Sequence, residues 1–462
     1  MTVAMTVAAK PGFCPPIPTP HERAPGAWKI LRALRRNALE IWSVADFELP
    51  VQTRKTIVDK RMLLNVPEGI RRVFLDNAKN YHKNELQLRL LRPALGAGVM
   101  TSNGEDWRRQ RRVLAPLFSP QQTRDFAAAK VRVAEHAVEQ LRLIPRDGIV
   151  DMSLILGQLT LDMLEHTLFS QGLGPAASQL QHTITRYFDT LGRLDPFDIL
   201  GLPDFLPRLN HLRGRASIQM MGRLVDDMLA ARLRLLASGG QAPRDILTLL
   251  LNAQDPDTGQ SISKAELRDN VLTFIGAGHE TTANALTWTI YLLSQVPDWR
   301  TRVEEEIDAH FDASNGGASL PITKAVLEES MRLYPPVSMI SRVALQDDIV
   351  AGVAVQAGTI VTVSPYVLHR HRTLWEHPDV FDPERFLGHR RDDIDRFAYL
   401  PFGAGHRVCI GMGFAMSEML ITLGHLLREF RFDLADGHPV TPEVRVTMRP
   451  AHGMKMHVRR RR

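Results

Sequence analysis

The sequence predicts a mainly α protein with a minor β part, folded as a single domain across residues 1–462. Three observations carry this. Apolar residues recur at helical spacing through most of 105–310. Ser263 and Glu266 have capping-box spacing and open one helix that runs to about Ser294, roughly 45 Å at ~1.5 Å per residue. The Val- and Ile-rich stretch Val343–Val367, punctuated by glycine, reads as a small sheet.

Residues 1–25 are expected to run extended over the surface, being proline-rich from Pro11 onward. Ala27–Trp42 has the pattern of a short basic amphipathic helix. Thr56–Val58 and Met62–Leu64 alternate with charge as short strands do. Pro67 opens a helix over Glu68–Asn77. Gln121–Leu143, Met152–Leu168 and Ile218–Leu236 are helical, with a Pro- and Gly-containing loop over Asp195–Pro207. Asp255-Pro256-Asp257-Thr258-Gly259 is a turn ahead of the long helix. Lys324–Leu333 is a helix stopped by Pro335-Pro336, because a proline pushes the residue before it out of the α region. His377–Gly405 is rich in Pro, Asp and Gly and reads as irregular. In the last helix, Gly411–Phe430, the side chains of Met416, Met419, Leu420, Leu423, Leu427 and Phe430 share one face. Short strands follow, then a basic tail over 459–462 that reads as a disordered end.

Hydrophobic residues make up 44% and charged residues 23%, which excludes disordered, collagen-like and coiled-coil chains. The two cysteines, Cys14 and Cys409, cannot build a disulfide framework or a four-cysteine zinc site. Net charge is +6, and four of those charges are the terminal arginines. The body is therefore only mildly basic, and basic patches with interleaved aromatics are absent, so nucleic acid is not an expected partner. The most apolar stretches are Val271–Val296, with His279 and Glu280 near its centre, and Ile349–Leu368, broken by Gly352, Gly358 and Pro365. Neither reads as a membrane span. A soluble, cytoplasmic monomer with no transmembrane anchor is expected.

Three motifs carry chemistry. In Phe402-Gly403-Ala404-Gly405-His406-Arg407-Val408-Cys409-Ile410-Gly411, two glycines permit a tight turn with positive φ, and Gly411 leaves room beside the cysteine. Cys409 then sits at the N-terminus of the last helix, where free N–H groups and the macrodipole favour a thiolate. Such a cysteine suits a soft metal or nucleophilic work; in isolation it is more often a buried cysteine opening a helix. Glu329 and Arg332, three residues apart on a helix, can bond to each other. Ala277-Gly278-His279-Glu280-Thr281-Thr282 places an acid beside a hydroxyl in mid-helix. Gly276 and Gly278 there suggest a groove or a close approach by a ligand.

The cysteine loop matches FGxGxRxCxG at every fixed position and resembles that of the cytochrome P450 superfamily of haem-thiolate monooxygenases, soluble bacterial type. The resemblance implies the cytochrome P450 fold, with a long central helix over haem and small β-sheets. It implies haem b (iron protoporphyrin IX), with Cys409 as the axial thiolate, the metal ligand. Phe402 would pack beside the sulfur, Arg407 would pair with a propionate, and His406 would face one. Trp107 and Arg111 are similar to the WxxxR pair that reaches a propionate, and Arg342 to an arginine used for the other. Glu329, Arg332 and Arg385 resemble a structural triad beneath the haem. Glu280 and Thr281 match the acid–threonine pair that delivers protons and orients O2. His279 falls at the variable position, facing solvent or a packed helix. Arg108, Arg109 and Arg112 remain as a basic patch that could dock an acidic electron donor, or as a solvated face.

The implied activity is insertion of one atom of O2 into a lipophilic small molecule, by hydroxylation or epoxidation. The chain ends some fifty residues after Cys409, so electrons are expected from separate proteins, a ferredoxin- or flavodoxin-type donor with its reductase. The alternatives are a peroxygenase or isomerase of the same fold, which the Glu280–Thr281 pair speaks against, and a non-catalytic haem-thiolate sensor. By resemblance the substrate pocket is walled by the Tyr81–Asn103 loop, the region from about Ala177 to Leu235, the central helix, Val337–Ile340 and the Pro450–Met454 turn. The apolar Val337, Met339 and Ile340 favour an apolar substrate.

Overall fold

A computed structural model describes residues 12–55, 59–170, 209–317 and 319–461. The strand expected at Thr56–Val58, the loop at Asp195–Pro207 and most of the pocket wall from about Ala177 lie outside the described residues.

The elements that position the site are, in chain order, α1 (Ala27–Arg36), β1 (Val51–Lys55), β2 (Lys60–Leu64), β3 (Tyr81–Lys83), α2 (Glu85–Leu95), α3 (Gly104–Leu114), α4 (Ala127–Arg142), β4 (Ile149–Asp151), α5 (Met152–Leu168), α6 (Leu209–Ala237), α7 (Lys264–Gln295), α8 (Pro321–Leu333), β5 (Ile340–Ala344), β6 (Ile360–Val363), α9 (Met412–Glu429), β7 (Phe430–Leu434) and β8 (Lys455–Arg460).

Helix α7 forms as the sequence predicts. Glu266 N–H donates to Ser263 Oγ at 3.2 Å, and Ser263 N–H donates back to Glu266 Oε2 at 3.0 Å. Beyond its first turns the helix is buried on nearly all sides, as a core helix must be when neighbours surround it. It packs along α5 and also against α6, α8 and α9. Trp288 of α7 stacks on Tyr334 at 3.9 Å between ring centroids, tying the helix to the end of α8.

One sheet has the strand order β1–β2–β6–β5–β3, with β2 and β6 parallel and the other neighbours antiparallel. A second has the order β4–β8–β7. The predicted sheet over Val343–Val367 ends early. Strand β6 stops at Val363, and Pro365–Leu368 is a helical turn with Pro365 in its first position, its Val367 N–H donating to Ser364 Oγ at 3.3 Å. The expected loop over Tyr81–Asn103 is a strand and a helix, β3 and α2, closed onto α7 where Ala97 N–H donates to Asp269 Oδ2 at 2.7 Å. Residues 459–461 of the basic tail are also structured, not a disordered end. Arg459 and Arg460 belong to β8, Arg459 pairs with Asp147 at 2.7 Å, and Arg461 pairs with Asp308 at 2.7 Å. The described part of the N-terminal stretch is anchored at residues 13–16, since Phe13 lies edge-on to Tyr291 and Tyr334 donates to the Pro16 carbonyl at 2.9 Å.

Candidate haem-thiolate site

The cysteine loop is shaped by its glycines. Gly403 and Gly405 adopt φ of 75° and 65°. A Cβ at Gly405 would lie 1.8 Å from the Phe74 carbonyl oxygen, so only glycine fits. Cys409 N–H donates to the Phe402 carbonyl at 2.9 Å, closing the loop just ahead of α9. Nothing of the protein comes within 4 Å of a Cβ built at Gly411 or Gly413, which leaves room beside the cysteine. The Cys409 side chain is accessible. Burial nevertheless pushes its thiol above the ordinary value, while the Gly411 N–H and Arg111 pull it down. A bound metal ion would deprotonate the thiol outright.

Beside the cysteine lies a group of cations with no carboxylate partner among the described residues. Lys83 and Arg342 are direct partners across β3 and β5, where like charges repel. Burial, then Arg342 and Arg407, lowers Lys83 well below its ordinary value. Burial brings Arg342 down to about 10. Burial, Arg342, Arg108 and Arg111 bring Arg407 down to about 9. Arg407 stands over the Trp107 ring at 4.2 Å and donates to the Ser102 carbonyl at 3.0 Å and to Asn103 Oδ1 at 3.2 Å. Arg342 donates only to the neighbouring Ser341 carbonyl, at 2.9 Å, and faces the Phe74 ring. Buried cations are normally paired. This group is complementary to a dianionic ligand, and the two carboxylates of a haem meet that requirement with a soft thiol alongside. Lys83 was not recognisable in the sequence, because its place comes only from pairing with Arg342. His406 is exposed and Phe402 half-buried in the same loop.

Glu329 and Arg332 are fully buried. Arg332 donates Nε to Glu329 Oε2 at 2.6 Å and Nη2 to Oε1 at 2.8 Å. It also donates to the carbonyls of His369 and Pro378 at 2.7 Å and of Val380 at 3.0 Å. Glu329 accepts the Asp382 N–H at 2.7 Å and has Arg385 Nε at 3.6 Å. One ion pair thus gathers the irregular chain from His369 to Arg385.

In α7, Thr281 Oγ1 donates to the Ala277 carbonyl at 2.7 Å, and Glu280 and Thr281 are both partly accessible. A Cβ at Gly278 would meet Leu164 of α5 at 3.0 Å, so this glycine serves helix packing rather than a ligand groove. His279 is buried against Gly157 of α5, and burial lowers it to about 4. Asn284 Nδ2 of α7 donates to Thr447 Oγ1 at 3.0 Å, and Met448 N–H next to it donates to the Pro336 carbonyl at 2.9 Å. The basic patch of α3 is not free. Arg108 pairs with Glu105, Arg109 with Glu266, and Arg112 with Asp255 at 2.8 Å and Asp257 at 3.1 Å.

The sequence model described as Cytochrome P450 matches residues 45–456. Cyclooctatin synthase of Streptomyces melanosporofaciens is 32% identical over 401 residues, 83% of each chain. Cyclooctat-9-en-7-ol 5-monooxygenase of the same organism is 33% identical over 370 residues, 79% of this chain and 78% of the relative. A putative cytochrome P450 132 of Mycobacterium bovis is 32% identical over 392 residues. The chain belongs to the cytochrome P450 family, and its mainly α architecture with small separate sheets is the fold of that family. It is a haem-iron monooxygenase that inserts an atom of O2 into a small-molecule substrate, using redox partners. Among the described residues, no helix is long and apolar enough to cross a membrane.

Proposed function

We propose that the chain holds haem b with Cys409 as its thiolate ligand and with the two propionates against Lys83, Arg342, Arg407, Trp107 and Arg111. The observation that carries this is the cluster of a buried and two half-buried cations, without carboxylate partners among the described residues, next to an accessible cysteine. His406 and Phe402 flank the same group. When bound, the haem supplies dioxygen activation. The rest of the site does what protein groups can do. Gly411 N–H tempers the charge on the sulfur. Thr281 holds a hydroxyl at a partly accessible point of α7 through its bond to Ala277, and Glu280 carries protons toward it. Val337, Met339 and Ile340, with the Pro450–Met454 turn, would make the pocket wall apolar.

The substrate is a lipophilic small molecule. Two relatives, named cyclooctatin synthase and cyclooctat-9-en-7-ol 5-monooxygenase, support an alicyclic compound over a fatty acid. The electron donor is a ferredoxin- or flavodoxin-type protein with its reductase, and the enzyme works as a single-domain monomer in the cytoplasm. The test is the difference spectrum of the reduced protein with and without carbon monoxide. A strongly red-shifted Soret band is expected. A band at the position of histidine-ligated haem would remove Cys409 as the ligand. Spin-state titration with alicyclic alcohols and fatty acids then separates the substrate classes.

A further inference from the structure

Helix α1 has two faces with opposite fates. Ala33 is buried and Ile30, Leu31 and Leu34 are partly covered, so this side is used by the fold. The other side presents Trp28, which is 79% exposed, together with Lys29, Arg32, Arg35 and Arg36, all exposed. At ~100° per residue, Arg32 and Arg35 flank Trp28 directly, and Lys29 and Arg36 lie at the next positions round. The helix contains no acidic residue. Lys29, Arg32 and Arg35 form no ion pair among the described residues, and Arg36 only reaches Glu40 at 3.9 Å, in a pair that is itself exposed. Ten residues thus carry four positive charges in a chain whose net charge is +6.

A large aromatic ring left in water among unpaired cations has a cost that a monomer in free solution would not need to bear. The face is small: a helix this short offers roughly 15 by 10 Å, far below the ~800 Å² per partner of a stable protein interface. A lipid surface needs no such area. Tryptophan settles at the headgroup level of a bilayer, and anionic headgroups attract each basic side chain independently of detailed fit.

We propose that the exposed face of α1 docks the protein reversibly on anionic phospholipid. The binding is peripheral. The apolar side of α1 is already committed to the protein, so the helix lies on the surface and does not insert deeply. Docking there needs nothing from the haem site.

The test is co-sedimentation of the holoenzyme with vesicles of phosphatidylcholine alone and of phosphatidylcholine mixed with phosphatidylglycerol. Binding is expected only to the mixed vesicles and is expected to fall with salt. At roughly fivefold per basic side chain, Arg32→Gln with Arg35→Gln should weaken it about 25-fold. Trp28→Ala should weaken it as well and remove the blue shift of tryptophan emission on binding. An unchanged carbon monoxide spectrum in each variant shows that the fold is intact. Failure of the wild type to bind mixed vesicles overturns the inference, as does binding that the double arginine variant leaves unchanged. If that variant keeps vesicle binding but loses turnover with a ferredoxin donor, the face docks a protein and the lipid inference falls.

Discussion

Replacing Arg332 by lysine keeps the buried charge but removes the planar fork. Arg332 makes five hydrogen bonds, two to Glu329 and one each to the carbonyls of His369, Pro378 and Val380. A lysine ammonium has three N–H donors, so at least two of these acceptors lose their partner in a fully buried site. At about 1–3 kcal/mol for each buried group left unsatisfied, the loss is about 2–6 kcal/mol. That is a large share of the ~5–15 kcal/mol that holds a domain together. The three carbonyls belong to the stretch from His369 to Val380, which runs on through Asp382 to the cysteine loop. The loss is therefore expected first as poor haem retention. The measurements are haem per protein after purification and the denaturant midpoint of the holoprotein. A variant with wild-type haem content and an unshifted midpoint would refute the role of the fork and leave charge alone as the requirement.

Thr281→Ala is expected to retain haem and bind substrate but to divert reducing equivalents to peroxide. The check is peroxide formed per NAD(P)H consumed, and unchanged coupling counts against a proton-handling hydroxyl. Arg342→Met removes one of the cations proposed to face the propionates. Haem transfer to apomyoglobin should speed up by about tenfold to a hundredfold, the worth of one charge-assisted bond; an unchanged rate removes Arg342 from the propionate site. His279 gives a pH effect of defined sign. Its folded value of about 4 lies below the ordinary 6.5, so the unfolded chain takes up the proton first as pH falls. Stability is full above about pH 6.5 and declines by about 3 kcal/mol between there and pH 4. His279→Leu should flatten that decline in urea titrations, and an identical slope would show that other groups cause it.

Much of the fold could be read along the chain because its causes are local. The capping box of α7 involves two side chains three residues apart, and its geometry is the one expected. The cysteine loop is legible for the same reason, since Gly403 and Gly405 must both take positive φ within a few residues of Cys409. Glu329 and Arg332 are one helical turn apart. Their burial, and the gathering of carbonyls around Arg332, were not legible, because those acceptors lie 37 to 48 residues further on. The arginine run at the C-terminus read as a tail for lack of any local structure signal. Strand pairing with β7 and acids on distant elements hold it in place.

By itself the sequence determined the family and the order of the helices it shares with the described structure. These follow from contiguous motifs and from periodicity, which one segment carries alone. Tertiary structure decided where charges end up. It set Lys83 opposite Arg342 and left both without a carboxylate among the described residues, while Arg109 and Arg112 of the neighbouring helix found acids of this same chain. It set the Cys409 thiol near Arg111, with desolvation and the Gly411 N–H pulling on it in opposite directions. It turned one side of α1 inward and left Trp28 and four cations outside. The physical reason is common to all three. Desolvation and pairing depend on which segments meet in space, and no single segment contains that information.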